Sequence, residues 1–576
     1  MALHWNCLLS EKTTKFVMTN FRPFKHPYPI TQKYSQKVAY FSMEFALDQP
    51  LKIFAGGLGF LAGSHMRSAY ALRQNVVGIG ILWKYGYYDQ VRNGIGEMDV
   101  LFLERQYNFL EDTGIEFGVA VNSHQVMVKV WYLPPHIFGT APMFLLSTIH
   151  PSNDYLAQTI CHRLYSNNAE AKVAQSILLG AGGAKLLDII DFEPDVYHLN
   201  EAHALPAAFH LYDKFGVLDE VRNRLVFTTH TPVEAGNEKH DIYLLDRMSF
   251  FGNVTLSEVR RITGIADNVF NHSLAALRLS RMANGVSKIH GEVAREMWQN
   301  FDNVSPITHV TNSQSHEYWH DSALDAAAEN NDDDAFEARK AELKCKLFDI
   351  VADQTGKIFQ PDVLTLVWAR RYAGYKRADL ITRDLDHFEK LLNNTRHPIQ
   401  IIWAGKPYPM DYDAIGTFNK LVHLSKKYPN VAVLTGYELS LSKALKQGSD
   451  VWLNNPRIPR EASGTSGMTA AMNGSVNLST YDGWIPEFAS HGHNAFIVPK
   501  ADLSWPEGVQ DEFDRVNLMS VLENEILPTY YDKPKRWLAI VKNSMKEVVT
   551  FFDSDRMADE YYKKLYGVGV KKMSVA

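Results

Sequence analysis

The sequence predicts an α/β protein built on two parallel sheets, and three observations carry that expectation. Short apolar runs bounded by turn residues alternate with longer helical patterns, as βα units do. The runs form two sets, separated by a polar, acid-rich segment at 321–334. At 576 residues the chain also exceeds one ordinary core, since domains cluster near ~100–150 residues and seldom pass ~250–300.

The first set holds apolar runs at 38–45, 76–82, 195–200 and 225–230, with a long helical pattern over 169–190 leading into the third. The boundary between the halves falls at 312–319, just before the acidic segment, and a helical pattern follows at 335–352. The second set holds runs at 365–370, 399–405, 431–436, 451–455, 474–480 and 495–499. All of these are short and bounded by turn residues, as strands of parallel sheets are. After Pro506 the pattern is helical to the end, with Trp537, Ile540, Val541, Met545, Val548, Val549 and Phe552 at helical spacing. Ser554 is expected to cap a last helix over 555–566, whose Met557, Tyr561, Tyr562 and Leu565 share a face. Both stripes read as core packing.

Composition narrows the function classes. With 46% hydrophobic and 22% charged residues the chain is an average globular mixture, neither disordered nor membrane-spanning. A formal charge of −6 argues against a nucleic-acid or anionic-membrane partner held by bulk electrostatics. Cys7, Cys161 and Cys345 show no CxxC spacing, so a disulfide framework and a zinc ribbon are both implausible. The first residues lack the basic patch and apolar stretch of a secretory signal, and a cytoplasmic location is expected.

Four motifs sit where strands end. Ala55-Gly56-Gly57-Leu58-Gly59 opens a helical pattern, and its glycines suit either an anion seat or a tight strand-to-helix turn. Arg370-Arg371-Tyr372-Ala373-Gly374-Tyr375-Lys376 begins where the 365–370 run ends, the place where open parallel sheets bind ligands. Arginine grips paired anionic oxygens and lysine adds a compact charge; a solvated basic turn is the alternative. Glu461-Ala462-Ser463-Gly464-Thr465-Ser466-Gly467-Met468-Thr469 offers small residues and hydroxyls at a helix start, with Glu461 better suited to sugar hydroxyls than to phosphate. Finally, His198-Leu199-Asn200-Glu201-Ala202-His203 and Thr228-Thr229-His230 bring donors and acceptors suited to a polyol. The spacing of His198 and His203 does not suit zinc, and no metal is expected.

Together these segments resemble the α-glucan phosphorylases, specifically their short bacterial and archaeal branch. The resemblance rests on VAYFSMEFAL, FAGGLGFLAGSHMRSA, HLNEAHALPAAF, FTTHTPVEAGNE, ARRYAGYKRADLI, IIWAGKPYP, VWLNNPRIPREASGTSGM and NLSTYDGW. It implies the GT-B fold: two Rossmann-like doubly wound domains facing across a cleft, at 1–312 and 313–530, with carboxyl-terminal helices at 531–576 crossing back. It further implies that Gly56, Gly57 and Leu58 form a loop over the phosphate region. Arg371 and Lys376 would hold the phosphate, helped by Ser463, Gly464, Thr465, Ser466 and Gly467. Glu461, Asn200, Glu201, His203 and Asn312 would bind sugar, and His230 would present its carbonyl to the anomeric centre.

One position departs from the pattern. Phosphorylases carry a lysine eight residues after the glutamate, which forms an imine with pyridoxal phosphate; here that residue is Thr469, which has no amine. The expectation is a retaining glucosyl transfer from a nucleotide sugar to a glucan or sugar acceptor, with no covalently held pyridoxal phosphate. The donor's second phosphate would stand in for that of the cofactor, and Thr469 would offer a hydroxyl beside the ligand. Alternatives are a phosphorylase releasing glucose 1-phosphate, or a silent glucan-binding relative. A homodimer is compatible with any of these.

Overall fold

The structure, a computed structural model, describes residues 21–567; Cys7 and the amino-terminal leader reading lie outside them. In chain order the strands are β1 (Val38–Phe41), β2 (Val76–Ile81), β3 (Asp89–Arg92), β4 (Met98–Leu101), β5 (Glu111–Val121), β6 (His124–Leu133) and β7 (Met143–Ser147). There follow β8 (Val196–Asn200), β9 (Leu225–Thr228), β10 (Lys239–Asp241), β11 (Val269–Asn271), β12 (Met282–Gly285) and β13 (Ile307–His309). The last six are β14 (Leu364–Ala369), β15 (Ile399–Ala404), β16 (Val431–Leu434), β17 (Val451–Asn454), β18 (Val476–Ser479) and β19 (Ala495–Ile497).

Two sheets organise the molecule. The first runs β13-β12-β9-β8-β1-β2-β7-β6-β5, parallel through β7 and antiparallel at β6 and β5. The second runs β16-β15-β14-β17-β18-β19 and is parallel throughout. A mixed α/β architecture on parallel sheets is therefore observed. In the first, strand order reverses between β1 and β8, and in the second between β14 and β17. Such switch points leave a crevice beyond the carboxyl ends of the strands.

The runs expected in both sets are strands, each a residue or more shorter than its apolar run except β14, which has the same length and starts one residue earlier. The first sheet also contains five strands that the run pattern did not single out: β5, β6, β7, β12 and β13. In β5 alternate residues Thr113, Ile115, Phe117, Val119 and Val121 are buried while their neighbours face solvent, so the strand alternates instead of forming a continuous apolar run.

The closing helices return to the first sheet. The Pro534–Phe552 helix leads into the Ser554–Tyr561 helix, which packs on the Gly57–Ala71 helix. Tyr566 Oη lies 2.7 Å from His198 Nδ1 beneath β8. Met557, Tyr561, Tyr562 and Leu565 are buried on one face, as their spacing predicts. Ser554 is not the cap: Asp553 accepts the Asp555 amide at 3.2 Å, while the Ser554 hydroxyl is buried 2.6 Å from that of Ser68. Aspartate suits the cap because a charged acceptor faces the helix's positive end.

Polar contacts tie the two sheets together. Tyr88 donates to Pro407 O at 2.8 Å and Gln90 Nε2 to Gly405 O at 3.0 Å. The Glu438 carboxylate is shared by Lys406, at 2.9 Å, and Lys52. Cys161 is buried and Cys345 exposed, both as free thiols. Among the described residues no helix is long and apolar enough to cross a membrane, and no His/Cys/Asp/Glu group is arranged to hold a metal.

Candidate active site

A cavity of about 870 Å³ lies beyond the carboxyl ends of β8, β9, β14 and β17, walled by both halves of the chain. The chain leaves β14 at Ala369, and the next residues enter the cavity wall. Arg370 Nη2 lies 3.0 Å from Glu461 Oε2, and Lys376 Nζ lies 2.9 Å from the same oxygen and 3.3 Å from Oε1. These three side chains are nearly withdrawn from solvent, whereas Arg371 is exposed towards the cavity. Burial alone would raise the Glu461 carboxyl, but Lys376 and then Arg370 overcome it and hold it down at about 2. Three cations face one carboxylate, so the wall keeps a positive surplus for a ligand. Gly464 lets the Arg370 guanidinium lie close, since a Cβ there would stand 2.6 Å from Nη2 and displace it from Glu461.

Behind Glu461, Asp482 accepts the Glu461 amide at 2.9 Å and the Gly483 amide at 2.9 Å. Burial raises its carboxyl to about 7. Ser463, Thr465 and Ser466 line the cavity where the six-residue Ser466–Ala471 helix begins. Gly467 does not: its Cβ position is blocked at 2.3 Å by Asn477 Oδ1, and its carbonyl accepts from Asn477 Nδ2. It is a packing glycine, which departs from its expected place among the phosphate contacts.

The opposite wall comes from the first sheet. His230 Nε2 lies 2.7 Å from Asn200 Oδ1, and its backbone amide donates to Glu201 Oε1 at 2.5 Å. Asn200 is itself outside the cavity lining and fixes the imidazole instead of meeting ligand, again unlike the sequence reading. Burial, then His290 and His203, lowers His230 to about 3, so the ring stays neutral. Glu201, held at φ 67° where β8 ends, is raised by burial to about 7. Glu201, His203, His230 and Asn312 all face the cavity. Arg370 Nη1, His203 Nδ1, Asn312 Oδ1 and Ser463 Oγ are buried without a protein partner among the described residues, and their residues line this space, so the wall offers donors and acceptors to a polar ligand.

The glycine loop differs in detail from its expected use. Gly56, Gly57 and Leu58 line the cavity, and nothing lies within 4 Å of a Cβ at either glycine. However, Glu44 Oε2 already accepts the Ala55 and Gly56 amides at 2.7 and 2.9 Å, and its Oε1 accepts Tyr165 Oη at 2.7 Å. These two amides are thus occupied by the protein's own carboxylate. Glu44 is a site residue missed by the sequence reading, and Arg370, though within the basic motif, was given no role of its own there. Arg370 was visible as the neighbour of Arg371, and Glu44 sits in the SMEF segment.

Thr469 is fully buried and does not line the cavity; its hydroxyl donates to Ser466 O at 3.1 Å. The expected ligand-facing hydroxyl is therefore spent inside its own helix.

The carbohydrate phosphorylase family profile matches residues 321–497. Maltodextrin phosphorylase of Thermococcus litoralis is 32% identical over 620 residues, covering 96% of this chain and 74% of that protein. The chain belongs to the α-glucan phosphorylase family. Within this family, glycogen phosphorylase of Aquifex aeolicus is 29% identical over 612 residues, 94% of this chain and 87% of that one. An uncharacterized protein of Methanocaldococcus jannaschii, MJ1631, is 46% identical over 529 residues, 92% and 99% of the two chains. Membership in the phosphorylase family places the chain among glycosyl-transferring enzymes.

Proposed function

We propose that this phosphorylase relative is a retaining glucosyltransferase that takes a nucleotide sugar and works without pyridoxal phosphate. In this reading the two sheets are the Rossmann-like halves of a GT-B fold, divided at 312/313, with the helices after 530 crossing back. The observation that carries it is the cavity itself: a surplus of fixed cations on one wall, neutral donors and acceptors on the other. The first suits a phosphorylated leaving group and the second a sugar.

A covalently held pyridoxal phosphate does not fit these residues, because position 469 carries no amine and is sealed from the cavity. No step is assigned to that group. Arg371 and Lys376 neutralise the departing diphosphate, with Glu461, itself paired to Arg370, keeping the ammonium in place. Glu461 and Asn312 take sugar hydroxyls. The His230 carbonyl faces the positive charge developing at the anomeric carbon, and the acceptor hydroxyl attacks from the side the diphosphate leaves, giving up its proton to it. Groups preset around developing charge are usually the largest catalytic contribution.

Incubation with UDP-glucose or ADP-glucose and a maltodextrin acceptor should release nucleoside diphosphate and lengthen the glucan. Glucose 1-phosphate formed from glucan and inorganic phosphate, with no turnover of nucleotide sugars, overturns the reading in favour of phosphorolysis, the activity in the relatives' names.

A further inference from the structure

The strongest unexplained feature lies behind the cavity wall. Lys446, on the Leu439–Gly448 helix, is only 1% exposed, and its amine has no hydrogen-bond partner among the described residues. Nζ stands 3.7 Å from the centre of the Trp319 ring and 5.5 Å from that of Phe60. The two rings are themselves 5.5 Å apart, and Phe60 borders the substrate cavity on its other side. Desolvation pushes the amine well below its ordinary range. Burying such a group unbonded is costly, and the indole face is no substitute for a hydrogen-bond partner. A residue this costly is not explained by stability.

Its neighbourhood is that of position 469. The Asn473 side chain donates to Thr469 O at 2.8 Å and to Trp319 O at 2.9 Å, so the threonine and the tryptophan are one amide apart. The Leu439–Gly448 helix packs on the Ser466–Ala471 helix that carries Thr469. Phe60, Trp319, Met468, Ala471 and Met472 form one buried apolar cluster there. An amine at 469 bearing a planar ring would need a slot beside that helix, and the face of Trp319, tied to Thr469 through Asn473, is one flat surface there. In this chain that face carries the lysine. No unbranched apolar side chain is as long, which accounts for a lysine being used to cross from one helix to the other.

We propose that Lys446 plugs the space a ring joined to residue 469 would occupy, so that positions 446 and 469 together make the site independent of an aldehyde cofactor. This rests on the cofactor-free reading of the function and adds to it that restoring the lysine is not enough. The chemistry at stake is imine formation, in which a neutral amine adds to the aldehyde carbon and one water leaves.

The test uses the full chain with pyridoxal phosphate as the probe in four forms: wild type, T469K, K446A and T469K/K446A. Imine absorbance and the mass of the borohydride-fixed adduct are read on each, with circular dichroism to establish folding. Wild type, K446A and T469K should show no stoichiometric adduct, whereas the double variant should bind one pyridoxal phosphate per chain at position 469. Loading of T469K alone overturns the plug, as does failure of a folded double variant. A one-to-one adduct on Lys446 in the wild type also overturns it, by making that amine an anchor. Release of nucleoside diphosphate by the wild type is scored separately, so loss of the functional reading and loss of the plug are told apart.

Discussion

The two walls of the cavity solve opposite electrostatic problems. The wall from β14 and β17 buries full charges in contact, Arg370 and Lys376 against Glu461 at 3.0 and 2.9 Å. The wall from β8 and β9 buries groups that shed charge: His230 is held neutral at about 3, and Glu201 is raised to about 7. Both walls are desolvated, so burial is not the difference. Partners are: Glu461 has two cations within bonding distance, whereas Glu201 has a backbone amide and a hydroxyl. A charged wall pays for its desolvation in ion pairs and stays ready for an anion, while a neutral wall can meet sugar hydroxyls without repelling that anion.

The largest expected effect breaks the charged wall. Arg371→Ala and Lys376→Ala should each lower turnover by ~10²–10³ or more, the usual loss for one preset donor at developing charge. Arg371 is exposed to the cavity and Arg371→Ala should leave the melting temperature near that of the wild type. Matching loss in His230→Ala would extend the site across both walls. Unchanged kcat in either cation variant, measured as product release at saturating donor, removes the clamp from the mechanism.

A smaller effect appears in stability. The Glu461 carboxyl is about 2 in the folded protein against an ordinary 4.5, a depressed value. Its contribution, about 3 kcal/mol, is therefore present above pH 4.5 and lost as pH falls through about 2. Asp482 has the opposite sign: raised to about 7 from 3.8, it stabilises fully below 3.8 and less as pH rises through 7. The two are separable by window. Urea melts of wild type and Glu461→Gln below pH 4.5 should show a steeper acid loss in the wild type. Equal slopes would mean that the ion pairs are not maintained in solution.

The second sheet was legible nearly strand for strand because its strands are covered on both faces and therefore read as mostly apolar runs. The first was legible only in its parallel centre. β5 alternates because one of its faces meets solvent, while β12 ends in Asn284 and Gly285 and β13 is only half-buried along its length, so neither reads as an apolar run. At the site, motifs located the walls but not the roles within them. Asn200 and Gly467 sit in the right segments yet face away from the cavity, because their neighbours in sequence point the other way from a strand end or a short helix. Glu44 was hidden because a carboxylate filling backbone amides looks, in sequence, like any acidic residue after a strand. Thr469 showed what was missing, but not that Lys446, 23 residues earlier, had taken the space beside it.

The finest test sharpens the neutral wall. Since burial raises Glu201 to about 7, the carboxyl is protonated in mildly acidic solution and ionises as pH rises through that value. Ionisation places a negative charge on the wall opposite the donor's phosphates, so donor affinity should weaken on the alkaline side. Donor KM for the wild type should rise several-fold between about pH 6 and pH 8, with kcat much less affected. Glu201→Gln keeps an acceptor for the His230 amide but cannot ionise, and its KM should stay flat over the same range. If KM rises equally in both, the titrating group lies elsewhere. A flat wild type would instead mean that bound ligand or water stabilises the carboxylate, and the contrast between the walls would be weaker than their partners imply.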